Sequence, residues 1–444
     1  MNYISLLIPF TLLLFTACGT VETSGEESTT IKNRDKVMHC QAEKKSFTSS
    51  TQKLFQIEAP NNIKVLLESS QNLFKEQTFD NAGVYELFTT EYYWATQTEQ
   101  NFDYTNFTTP QALIEALKYK KDRWSFAIEK ERFNNTISQK NRGFGFACQD
   151  LDEGCLVTYV QIDSPVDKID LRRGDIIQKI NNKKATKNYI YQLGQKSKSL
   201  TSFTIKRTNT KEICNGAVTP RDYTYKVVLS KVIKTQNNQS IGYLRLDSFL
   251  GEEALLKQID SAFNRFKKTH IEKLIIDLRY NGGGSVDIAS ELLHRLSIKH
   301  EGEEQFTLAW NNSYQHNNQK YTFNLKKNSL NIEHLLFLTT ANTASASELI
   351  ISAMKPYLND KKLTIIGSKT HGKPVGMNGK SDGIYYYFLI NFVVKNALGF
   401  YDYFTGLPVT EGCQIADDPF HEMGDPNELM LKSALNYINK GSCQ

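Results

Sequence analysis

Three short stretches carry residue types that could do covalent chemistry. In "NTASASELIISAM", Asn342 to Met354, hydroxyl residues alternate with alanine and run into an apolar helix bearing an acid. Ser345-Ala346-Ser347-Glu348 would serve as an ordinary capping box, with the hydroxyl and the carboxylate satisfying exposed N–H groups at a helix start. It could equally present a nucleophile. A serine hydroxyl is a weak nucleophile and needs a neighbouring base, plus donors for the oxyanion that forms at the attacked carbonyl. "DLRYNGGG", Asp277 to Gly284, ends an apolar strand in three glycines, whose N–H groups could face a cleft with no side chain in the way. "SKTHGKPVG" supplies Lys369 and Lys373 as amines and His371 as an imidazole. A lysine accepts a proton near neutral pH only if burial brings its pKa well below about 10.4. Arginine, locked in its charged form, could not do the same.

The elements that must position these residues follow from periodicity. From about Ser240 to Tyr437, continuous apolar strands ("IGYLRLDSF", "KLIIDLRYNGG", "EHLLFLTTAN", "KLTIIGSKT") alternate with amphipathic helices ("GEEALLKQIDSAFNRF", "GSVDIASELLHRL"), which implies a sheet covered on both faces. "NNSYQHNNQKYTFNLKKNS" reads as a hairpin. From about Gln52 to Asn135 the spacing is helical: "IKVLLESSQNLFKE" and "TPQALIEALKYKKDRWSF" repeat apolar residues at three and four, the second with Thr109-Pro110 as cap and first turn, and Trp94 and Trp124 as core. From Gly143 the period changes to strands, "GFGFAC" and "CLVTYVQI", followed by "DSPVDKIDLRRGDII".

That last order resembles a PDZ domain, with Gly143, Phe144, Gly145 and Phe146 at the family's carboxylate-binding loop. Converging N–H groups would hold an anion there, and the strand edge beside it could add a peptide strand. The three ordered motifs "DLRYNGGG", "TASASE" and "KTHGKP" resemble those of the tail-specific, or carboxy-terminal processing, serine proteases. The resemblance runs from Gly143 to the "GDPNELMLKSALNYI" tail, and "YKKDRWSF" is similar to N-terminal regions of members. It implies a nucleophile at Ser345, a general base at Lys373, oxyanion donors at the N–H groups of Ala346 and Gly283, and supporting roles for Glu348 and Thr370, the latter holding Lys373 by a hydrogen bond. Lys369 and His371 stay open as rivals for the base. No cofactor and no metal are implied. Met377 stands where many relatives carry glutamine, Pro374 where glycine follows the lysine, and Pro356 near a family aspartate.

The expected fold class is α+β multidomain: a helical N-terminal domain at 46–141, a PDZ-like β-barrel at 142–232 and a crotonase-like (ββα) α/β catalytic domain at 237–444, behind a signal peptide at 1–17 and a polar tether at 18–45. "MNYISLLIPFTLLLFTAC" has an apolar run too short to span a bilayer, and Ala17-Cys18 looks like a bacterial lipobox that would lipidate Cys18. The alternative is plain secretion. With Gly19 after the cysteine, an outer-membrane anchor facing the periplasm is expected in a cell with two membranes. Six further cysteines, Cys40, Cys148, Cys155, Cys214, Cys413 and Cys443, favour disulfides in an exported chain. Cys413 with Cys443 would pin the tail and Cys148 with Cys155 would clip a loop, among fifteen possible connectivities.

The 444 residues and 40% hydrophobic content suffice for several buried cores. Lys+Arg exceed Asp+Glu by 53 to 48 without gathering on one face, which argues against nucleic acid. Protein or peptide substrates are the expected partners, and the oligomeric state is not legible. The leading function is an exported serine endopeptidase acting through an acyl-enzyme. The alternatives are an inactive PDZ-containing binding or adaptor lipoprotein, supported by Met377 and Pro356, and a non-proteolytic ligand carrier that would not need both Ser345 and Lys373.

Overall fold

The computed structural model describes residues 6–7, 38–42, 80–130, 141–223, 226–235, 238–250 and 252–444. Cys18, the expected signal and tether apart from Leu6–Leu7 and 38–42, and the helix expected over "IKVLLESSQNLFKE" lie outside the described residues.

At the centre is a five-stranded sheet ordered Val228–Lys234, Ser240–Leu246, Lys273–Asp277, His334–Thr339 and Leu363–Gly367, parallel except for its first strand. Helix Glu252–Lys268 places Leu255, Ile259, Ala262, Phe263 and Phe266 on one stripe, as the three-and-four spacing requires. With Val286–Leu296 and Ala346–Met354 it covers one face. Burying each such large side chain contributes about 1.5–3 kcal/mol. Met430, Leu431 and Ala434 of helix Leu429–Lys440 cover the other face against Ile275, Leu336 and Ile366.

A second sheet lies beside it, built on the long strand Tyr385–Asn396, which pairs with Val375–Ser381 and Glu304–Trp310. Glu304–Trp310 forms a hairpin with Gln319–Thr322, so the polar interlude supplies one arm and the turn rather than the whole hairpin. Backbone from Leu6–Leu7 pairs antiparallel with Gly284–Ser285, with Leu6 opposite Met377.

The N-terminal helices are Asn81–Thr89, capped by Asp80, and Pro110–Leu117, capped by Thr109. The second stops earlier than its periodicity suggests. "RWSFAI" alternates Trp124, Phe126 and Ile128 inward, the period of a strand. Phe126–Glu129 accordingly joins the second sheet against Tyr385–Phe388, so this end of the 46–141 unit is built into the 237–444 unit.

Residues 141–223 form a sheet ordered His39–Ala42, Glu212–Val218, Thr201–Lys206, Ile176–Ile180, Gly154–Val160 and Phe146–Leu151, with helix Lys187–Lys196 against it. Two expected boundaries shift. The tether ends before His39, because His39–Ala42 pairs with Glu212–Asn215, and the boundary at 232 moves ahead of Val228, because Val228–Lys234 belongs to the parallel sheet. Disulfides join Cys40–Cys214, Cys148–Cys155 and Cys413–Cys443.

Candidate active site

Ser345 sits between strand His334–Thr339 and the helix that begins at Ala346, with φ 62° and ψ −118°. A non-glycine residue held at positive φ costs of order 1–3 kcal/mol and persists only where its surroundings impose it. Half of the expected capping box is made: the Ser345 N–H donates to Glu348 Oε2 at 2.8 Å. The other half is absent, since Ser345 Oγ is buried and has no hydrogen-bond partner among the described residues.

Glu348 fastens the lysine loop to this helix. Its Oε2 also accepts the Lys373 N–H at 2.8 Å, so one oxygen bridges the backbones of residues 345 and 373. Its Oε1 accepts from Thr370 Oγ1 at 2.5 Å and Gly372 N at 2.6 Å. Burial pushes this carboxyl up from its ordinary range, and the four donors oppose that shift. Thr370 therefore holds Glu348, and takes the Leu407 N–H at 2.7 Å, rather than the lysine amine.

Lys373 is fully buried and its Nζ has no hydrogen-bond partner among the described residues. Burial brings its pKa from 10.5 down to about 7, against the pull of the Asp122 and Glu348 carboxylates. Lys369 is exposed. His371 accepts from Trp124 Nε1 at 3.3 Å, and burial, with help from the Arg123 and Lys373 cations, brings its pKa to about 4. It is thus a neutral ring already committed to a tryptophan.

Gly283 lies against the nucleophile: a Cβ added there would stand 2.7 Å from Ser345 Cβ and 3.0 Å from Ala346 N. Its own N–H donates to Asn281 Oδ1 at 2.8 Å, so this amide is engaged in the state described. The glycine loop is anchored from behind by Arg279, fully buried between Asp277, Asp417 and Glu428. Arg173, from the 141–223 unit, reaches the same anchor through Asp417 at 2.7 Å and Tyr280 Oη at 2.7 Å.

The expected peptide loop is some distance in sequence from this cluster. Phe144 is buried against Phe203, Phe146 is half-buried, and strand Phe146–Leu151 is an edge of its sheet. Gly145 has φ 87°, and an added Cβ would meet Ser164 at 2.0 Å, so the glycine is required by space as well as by backbone.

The sequence departures sit as follows. Met377 is fully buried in an apolar cluster of the second sheet, and Pro356 falls just beyond the end of Ala346–Met354. Pro374 continues into strand Val375–Ser381 and its carbonyl accepts the Val394 N–H at 2.9 Å. Two groups were not legible as site residues: the Tyr403 hydroxyl, buried near Glu348 without a hydrogen-bond partner among the described residues, and the Arg123-Trp124 pair over the lysine loop. Their signal is contact between positions tens to hundreds of residues apart, which periodicity does not carry. Among the described residues, Cys40, Glu212 and Cys214 lie close enough to hold a metal, but the two cysteines are spent on their disulfide.

Residues 240–381 match Peptidase family S41 and residues 80–126 match the Peptidase S41 N-terminal domain. A "Probable CtpA-like serine protease" of Staphylococcus epidermidis is 24% identical over 296 residues, 66% of this chain and 56% of the relative. The corresponding Staphylococcus haemolyticus protein is 23% identical over 295 residues, 66% of this chain and 55% of the relative. The chain thus spans little more than half the length of these relatives. A chain solved by crystallography from Bacteroides fragilis NCTC 9343, and assigned to the S41 proteases, superposes with a TM-score of 0.71 at 23% identity. The match covers 82% of this chain and 99% of that one.

Proposed function

We infer that this chain, which belongs to peptidase family S41, is a serine endopeptidase of the carboxy-terminal processing type that works through Ser345 and Lys373. The observation that carries the reading is the Glu348 bridge: one buried carboxylate binds the N–H of both residues, beside a buried hydroxyl and a buried amine that have no hydrogen-bond partner among the described residues. A neutral amine takes the Ser345 proton as Oγ attacks the scissile carbonyl, and returns it to the leaving amine as the acyl-enzyme forms. The oxyanion is received by Ala346 N–H at the positive end of its helix, joined by Gly283 N–H once this turns from Asn281. Water on the acyl-enzyme, deprotonated by Lys373, completes hydrolysis.

The substrate enters as an extended strand beside Gly284–Ser285; the backbone of Leu6–Leu7 in that position supports this mode. Residues 142–226 act as a PDZ module holding substrate C-termini at Gly143 to Phe146. Export to the cell envelope, with a lipid on Cys18 and the body facing the periplasm, is supported by three disulfides, which persist in oxidising compartments. The test is hydrolysis of an unfolded protein by the parent, Ser345→Ala and Lys373→Ala. Activity in the parent with loss in both variants is expected. Equal activity in all three overturns the site. A folded parent that binds peptides without cleaving them would favour the adaptor reading.

A further inference from the structure

We propose that Trp124 and Arg123 of the N-terminal segment are positioning residues that roof the Lys373 amine and hold its loop, so that this segment completes the catalytic site. The inference rests on Lys373 being the base. Trp124 is almost fully buried and its ring centroid lies 5.9 Å from Lys373 Nζ. Its Nε1 donates to His371, fixing the residue two places before the lysine, and its ring stacks on Phe404 with centroids 6.0 Å apart. Arg123 donates to two carbonyls at 3.1 Å each, Gly372 O and Phe404 O, and so closes the loop from outside. Its guanidinium also lies 4.7 Å from the Trp124 ring centre. Asp122 seats the pair by accepting the N–H groups of Trp124 and Ser125 at 2.8 and 2.9 Å and the Tyr92 hydroxyl at 2.7 Å.

Asp122 and Glu348 favour the charged form of the Lys373 amine, while Arg123 lies across the loop. His371 is neutral, and burial raises the Tyr403 hydroxyl well above its ordinary value. With two carboxylates nearby, what remains to keep the amine neutral is exclusion of water, and the indole is the wall on the N-terminal side. Truncating it lets water reach Nζ without touching Ser345, Glu348 or the glycine loop. A tryptophan that was only packing would, on truncation, lower activity by the same factor at every pH.

The test is the pH dependence of kcat/KM for Trp124→Ala, with Trp124→Phe as the conservative control. If the Lys373 midpoint rises from about 7 to about 9, the neutral fraction at pH 7 falls about fiftyfold, and at pH 9.5 the deficit is less than about twofold. Trp124→Phe should stay close to the parent profile. Arg123→Met should lower kcat more than it raises KM. A second readout does not need turnover: acetic anhydride labelling of Lys373, followed by peptide mass spectrometry in a Ser345→Ala background. Trp124→Ala should label with a midpoint shifted upward and, at pH 9.5, where the amine is largely neutral in both proteins, at a higher rate. A pH-independent loss of activity, or an unchanged labelling rate and midpoint, overturns the proposal. A shifted labelling midpoint in a chain whose Ser345 form hydrolyses nothing would leave the roof standing and remove the proposed function.

Discussion

Replacing Lys373 with methionine should abolish hydrolysis and, at neutral pH, make the protein more stable. The amine is fully buried without a hydrogen-bond partner among the described residues, and its pKa falls from 10.5 to about 7. Between those values the unfolded chain holds a proton on this amine that the folded chain does not, so folding stability rises with pH across the window. Below about 7 the amine is charged in both states but poorly solvated in one, and the cost is fully present. At about 1.4 kcal/mol for each tenfold change in proton affinity, that cost is at most roughly 5 kcal/mol. Relaxation and water entry reduce such penalties, so an observed gain of about 2–4 kcal/mol for Lys373→Met at pH 6.5 is expected. Methionine has similar length and no charge to bury. Urea unfolding of both proteins, followed by far-ultraviolet circular dichroism at pH 6.5 and 9.5, provides the measurement. The gap between them should narrow at the higher pH. A variant no more stable than the parent at pH 6.5, or a gap independent of pH, would refute the claim that this amine is buried and neutral.

Gly283→Ala should leave the fold in place, with a stability loss of about 1–3 kcal/mol from its φ of +108°, and reduce kcat at least about a hundredfold, because the new methyl falls against Ser345 and Ala346 N. Titration with a serine-directed inhibitor against circular dichroism separates the two effects. Glu348→Gln places an amide NH2 against two of the four donors that the carboxylate accepts, so both stability and activity should fall, stability by about 1–3 kcal/mol in thermal melts. Arg173→Met removes one of the two buried guanidinium partners of Asp417, which keeps Arg279, and a loss of about 1–3 kcal/mol is expected in urea unfolding, with a smaller loss in a variant that also carries Asp417→Asn.

The parallel strands were legible because "KLIID", "HLLFLT" and "LTIIG" are apolar runs between helices with clear three-and-four spacing. The nucleophile loop was legible as a motif but not as geometry. The same letters spell a capping box, yet Ser345 Oγ makes no hydrogen bond among the described residues, on a backbone held at positive φ. Thr370, expected to hold Lys373, binds Glu348 instead, a difference of side-chain direction that spacing does not encode. Trp124 read as core, and it is core, yet what it packs against is an amine 249 positions away in the chain. The strand Phe126–Glu129 was hidden because a helical run ends only a few residues before it, with Lys118 turning to an extended ψ of 132°.

The most direct test of the Ser345–Lys373 account is the acid limb of kcat/KM against pH, measured for the parent, His371→Ala and Lys373→Met. The account predicts one ionisation near pH 7 in the parent, kept in His371→Ala, and no measurable turnover at any pH in Lys373→Met. A limb that vanishes with His371, or that survives unchanged in Lys373→Met, would contradict it.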